Sequence, residues 1–279
     1  MAGPIPSGPA AWLARAPYNQ DMTDERRRSL RATPPRRRLS VVTVLGELLI
    51  TFGVVVLMFI GWQVWLNNVI SGVQQHTVAD GLSQEWANDP VPTNTPTATP
   101  TTDPGAPVVM AAPVAGKAFA NLIVPRLGTD FKRPISEGVG REVLDNSKKG
   151  LGHYVQTQLP GQVGNFALAS HRTAYGGAFH DINQLVVGDG IYIETPDGWY
   201  KYIFRDLQFV HASAVAVIQP VPQVDGVKAT QRLITLTTCN PLLSSAERMI
   251  AYGVFDSWYP RADGPPAEIA TLASASGVN

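Results

Sequence analysis

Twenty-five consecutive residues, Val41 to Trp65 (VVTVLGELLITFGVVVLMFIGWQVW), carry one ionisable side chain, Glu47. As a helix this run is roughly 37 Å long, enough to cross a hydrocarbon core of about 30 Å with some tilt. Lipid admits only helices and closed barrels, because backbone polar groups find no water there. The run is therefore expected to be a single membrane-spanning helix. Trp62 and Trp65 lie near its far end, where interfacial aromatics are favoured. A cleaved signal peptide is the alternative. Forty residues precede the run, too many for an ordinary n-region, and Asn67-Asn68-Val69-Ile70 lacks the small residues of a cleavage site. Glu47 sits about two turns in. Either it reaches back to the near interface or is protonated, or it meets another membrane helix.

Charge gives the span a direction. Residues 1–40 hold eight arginines, no lysine and three acids, with Arg26, Arg27, Arg28, Arg31, Arg36, Arg37 and Arg38 clustered; from Val41 to Gly116 there is no lysine or arginine. Positive charge is retained on the cytoplasmic side. We therefore expect a cytoplasmic tail over 1–40, an anchor in membrane lipid over 41–66, and everything later outside the cell. The formal net charge is zero and gives no ground for a nucleic-acid partner. Residues 67–117 are expected to form an extracellular stalk, although Val69 to Ala79 has the composition to prolong a helix. The run Asp89 to Asp103 (DPVPTNTPTATPTTD) has too few apolar residues to bury a core.

Globular composition begins at about Lys117. Strands are expected over Ala120 to Val124, Asn165 to Ser170, Gly190 to Thr195, Tyr200 to Val210, Leu233 to Thr238 and Met249 to Phe255, with a tight turn at Pro196-Asp197-Gly198. Short helices are expected over Glu142 to Lys148 and Phe179 to Leu185. Many strands with few helices point to a closed, mostly antiparallel barrel over 118–262. Residues 263–279 are small and polar and read as a disordered tail.

Cys239 is the sole cysteine, which excludes an intramolecular disulfide and any multi-thiolate zinc site. A lone cysteine is ordinarily a small buried hydrophobe. Here it ends a β-rich run and precedes Asn240-Pro241, which places its thiol at a barrel rim. A thiol nucleophile needs a proton-transfer partner and a donor for its oxyanion. His171, at the end of another strand, and Arg248, at the start of the next one, are of the required types. Of the other histidines, His76 lies outside the domain, His153 is in a glycine-rich loop, and His180 and His211 sit near element ends. Spacing alone does not choose among them.

Thr235-Leu236-Thr237-Thr238-Cys239 matches the TLxTC signature of sortases, with an arginine nine residues beyond. The segment Pro160 to Thr195 (PGQVGNFALASHRTAYGGAFHDINQLVVGDGIYIET) resembles the sortase histidine region, especially that of class E, and Gly46 to Gly53 resembles the anchor of that class. Ser170 departs from the glycine that commonly precedes the histidine. The resemblance implies a mostly β fold: a closed eight-stranded sortase-type barrel with short helices, preceded by one transmembrane helix. It makes Cys239 the nucleophile, His171 the general acid and base, and Arg248 the substrate and oxyanion ligand. Thr238 is carried over as a substrate-binding candidate, with an ordinary strand residue as its alternative. No metal or organic cofactor is implied. The implied partners are exported proteins bearing an LAxTG or LPxTG sorting motif and a peptidoglycan-precursor amine. Two rivals remain: a cysteine hydrolase of the same motif, and a tethered extracellular binding module with an inert cysteine.

Overall fold

The computed structural model describes Gly3, residues 40–88 and residues 106–273. The expectations for most of the Arg-rich tail, for the Pro/Thr-rich run and for the last six residues lie outside the described residues, as does the Trp65 side chain. The chain divides into two units, Met1–Val54 and Val55–Asn279. The boundary falls within helix α1 (Val41–Gly61), the one helix among the described residues long and apolar enough to cross a membrane. No residue of α1 is buried by protein, and its leucines, valines and phenylalanines are exposed, as a candidate membrane span requires.

A π-helical segment (Trp62–Leu66) leads into α2 (Asn67–Asn88). The barrel follows as β1 (Ala118–Ile123), β2 (Lys132–Glu137), helix α3 (Arg141–Leu144), β3 (Leu151–His153), β4 (Gly164–Ser170), β5 (Gly190–Thr195), β6 (Gly198–His211), β7 (Arg232–Asn240) and β8 (Glu247–Pro260), with helix α4 (Ala270–Ala273) last. The eight strands close in the order β1-β2-β3-β4-β7-β8-β6-β5. The barrel is mixed: β2 with β3 and β4 with β7 are parallel, and the other pairs are antiparallel. Alternation fills its interior with Leu122, Phe166, Leu168, Ile191, Ile193, Tyr200, Tyr202, Leu236 and Met249. The β5–β6 hairpin turns at Pro196-Asp197 as the sequence indicates. Gly198 is obligatory there, because its φ is 150° and a Cβ would come within 2.1 Å of the Tyr259 carbonyl. Irregularities of register between Lys201 and Tyr202 and between Phe204 and Asp206 bend the long β6 so that the sheet can close.

Several parts differ from the sequence reading. The first half of the expected stalk is α2, which lies on the barrel beside β2 and buries Ser71, Gly72, Gln75, Ala79, Ser83 and Trp86. This stripe has helical spacing but is built of small and polar residues, so hydrophobic periodicity does not reveal it. The end of the stalk range is also docked: Met110 packs on the core and the Tyr200 hydroxyl donates to the Val108 carbonyl. In the expected disordered tail, Ile269, Leu272 and Ala273 are buried against Ile123, Tyr192 and Trp199. The short helix expected over Phe179 to Leu185 is only a 3-10 turn, Ile182–Gln184, and β2 and β3 have no counterpart among the expected strands.

Under α2 the barrel holds a buried charge cluster. Lys132, fully buried, lies 3.1 Å from Asp80 and 3.8 Å from the equally buried Glu194. Glu194 also accepts from Ser83, Asn121 and Arg261. Charges this deep persist only when paired on all sides.

Candidate functional site

The strands deliver three candidate residues to one rim. β4 and β7 run parallel, with Ala169 opposite Thr237. Parallel neighbours that stop together present their next residues at the same level. The Thr238 hydroxyl donates to the Ser170 carbonyl at 2.9 Å, which fixes the two ends to each other. His171 and Cys239 come next on their respective chains. On the other side of β7, Cys239 is directly opposite Arg248 of β8, so the two share a face of the sheet. Cys239 is half-buried.

The residues beside these three are joined in a chain. Arg172 donates to Asn240 at 2.6 Å, and Asn240 donates to Glu247 at 2.8 Å. Each neighbour of a candidate is thus bonded to the neighbour of another, across the ends of β4, β7 and β8. Arg248 directs Nη1 to the carbonyls of Ser245 and Glu247, both at 2.9 Å. Those bonds hold the guanidinium by one end of its fork, in a site where planarity matters.

Asp145, in the loop after α3, is a partner that no motif in the sequence marks. Its Oδ1 is 2.7 Å from His171 Nε2, with the two side chains 23% and 33% exposed. The His171 hydrogen bond, then that from Arg141, hold the Asp145 carboxyl below the ordinary carboxylate range. An ionised carboxylate only accepts, so Nε2 carries the proton in this contact and Nδ1 remains for exchange. The Tyr175 ring lies 5.6 Å from that of His171, on the loop leaving β4.

Thr238 is buried, and its hydroxyl is engaged by the backbone of Ser170. Ser170, the departure from glycine, donates to the Gly150 carbonyl at 2.7 Å and so helps anchor the end of β4. The other histidines are occupied elsewhere. His153 is buried between Glu137 at 2.7 Å and the Gln158 carbonyl at 3.1 Å. His180 donates to the Arg172 carbonyl. His211 pairs across from Glu247 at the strand end, and His76 lies against Asp80 on α2.

Comparison with known proteins gives the same direction. A family model described as Sortase domain matches residues 122–256. Sortase SrtE1 of Streptomyces coelicolor is 36% identical over 249 residues, covering 87% of this chain and 65% of that protein. The chain thus spans just under two thirds of that relative's length. Sortase SrtE2 of the same organism is 33% identical over 229 residues, covering 80% of this chain and 85% of the relative. Among solved structures, the SrtA sortase from Actinomyces oris superposes with a TM-score of 0.56 at 38% identity, covering 60% of this chain and 95% of that one.

Proposed function

Because the chain belongs to the sortase family, with class E sortases among its relatives, we propose that it is a membrane-anchored cysteine transpeptidase acting on exported proteins. Its substrate is a C-terminal sorting motif of the LAxTG or LPxTG type, the first being the class E preference. The observation that carries this reading is the shared rim: Cys239 opposite Arg248, with His171 at the adjoining strand end.

In the first half-reaction Cys239 Sγ attacks the carbonyl between threonine and glycine. His171 takes the thiol proton and gives it to the glycine nitrogen as the C–N bond breaks, leaving a threonyl thioester. Arg248 donates to the oxygen on which charge develops. In the second, an amine of a peptidoglycan precursor attacks the thioester. His171 takes the amine proton and returns it to the departing Sγ. Asp145 accepts from Nε2 and keeps Nδ1 toward the thiol. Thr238 acts through the backbone, by holding the ends of β4 and β7 level. The basic residues before the anchor support an orientation with the N-terminus in the cytoplasm and the barrel outside.

The test supplies the protein with an LAxTG-containing peptide, with and without an amine acceptor, and determines product masses. Cleavage between threonine and glycine and an amide-linked conjugate are expected, and Cys239→Ala should yield neither. A product that is only the free threonine carboxylate, across peptidoglycan-derived amines, would make the protein a hydrolase. No product from any sorting-type peptide, with Cys239 inert to thiol reagents, would leave a binding module.

A further inference from the structure

The loop that leaves β4 directly after His171 has an unusual backbone. Tyr175, Gly176 and Gly177 have φ of 50°, 90° and 45° in succession. Consecutive residues in the left-handed region persist only where their surroundings hold them. Helix α2, about a hundred residues earlier in the chain, supplies that hold. Gln75 Nε2 donates to the Tyr175 carbonyl at 2.7 Å. Asn68 Nδ2 donates to the Thr173 carbonyl at 3.0 Å, and its Oδ1 accepts from the Gly176 N–H at 3.3 Å.

Gln75 is completely buried. Its carboxamide lies between two glycines: a Cβ on Gly150 would fall 2.2 Å from Gln75 Nε2, and one on Gly176 would fall 2.7 Å from it. An apolar side chain would fill this space with less desolvation, so what glutamine adds is a directed donor. That donor meets the backbone of the residue whose ring packs against His171. Ser170, on the other side of His171, bonds the carbonyl of Gly150, which borders the same carboxamide.

We propose that Gln75 and Asn68 are positioning residues for His171, so that the helix between anchor and barrel belongs to the catalytic apparatus. They act through the loop 173–176: with it fixed, the imidazole is confined between Tyr175 and Asp145. This rests on the reading of His171 as the proton carrier.

The experiment uses the full chain in lipid nanodiscs with carbon-labelled histidine. Gln75→Met keeps approximate size and removes the donor; Asn68→Ala, at a half-buried position, is the milder second variant. Ser83→Ala is the control, since Ser83 lies on the same docked helix but bonds Glu194, away from the loop. Thermal unfolding verifies that each is folded. Gln75→Met, or Asn68→Ala if the former does not fold, should lower kcat for peptide cleavage on the order of 10-fold, with KM within about twofold. It should also move the His171 ring resonance, assigned from its loss in His171→Ala. Ser83→Ala should do neither. Unchanged kcat and an unmoved His171 resonance in the folded variants would overturn the proposal, and so would an equal loss in Ser83→Ala. Activity surviving in His171→Ala would remove the proton-carrier reading instead, while the resonance would still report whether α2 holds the loop.

Discussion

At the scale of single residues, the site depends on groups that do not react. Asp145 is stabilised as a carboxylate in the folded state, mainly by His171 and next by Arg141. A group whose folded pKa is depressed contributes stability above its unfolded value, about 3.9 for aspartate, and the contribution is lost as pH falls through the lower folded value. Asp145→Asn should therefore melt with a shallower dependence on pH below about 4 than the parent protein, as followed by tryptophan fluorescence. In turnover assays near neutrality the same variant should be slower by about 10-fold or more, because its imidazole is no longer held in one orientation. A variant as fast as the parent would reduce Asp145 to a loop tie. Arg248 is held by two backbone carbonyls at one end of its guanidinium. Lysine cannot reproduce a fork, so Arg248→Lys should fold normally and lose about 10²–10³ in kcat/KM. Turnover within a factor of a few of the parent would exclude an oxyanion role.

Elements differ in how openly the sequence announces them. β5, β6 and β7 alternate or run apolar between turn residues, and their limits fall within a few residues of those expected. β2 (KRPISE) carries a proline and two basic residues, one of them buried, and no alternation survives to identify it. α2 hides for a related reason: its inward face pairs polar groups with polar groups. Cys239 and Arg248 are legible as candidates because they sit on adjacent strands of a recognisable signature. Asp145 is not, because it meets His171 between two loops, 26 residues apart, with no periodicity linking them. The charge cluster under α2 offers a test of this polar seam. Glu194→Ala would leave Lys132 and Arg261 facing an empty site in the interior. Removing one partner of a buried pair costs about 3–5 kcal/mol. Denaturant titration in detergent should register a loss of that order; a loss below about 1 kcal/mol would mean that water or Asp80 compensates.

For the whole molecule, the basic residues before α1 and their absence from Val41 to Gly116 set the expected topology. Protease added to intact protoplasts should release the barrel and leave a small membrane-held fragment; protection of the barrel would reverse the assigned orientation. The parallel junction of β4 and β7 has one more consequence. The bond that joins the Thr238 hydroxyl to the Ser170 carbonyl links residues 68 positions apart, with β5 and β6 between them in the chain. Contacts so distant in sequence carry a large loop-closure cost and form late. A nascent chain therefore carries the Cys239 thiol before its candidate partners are assembled around it. Folding thus brings Cys239 opposite Arg248 and level with the end of β4 only once most of the barrel's residues are available.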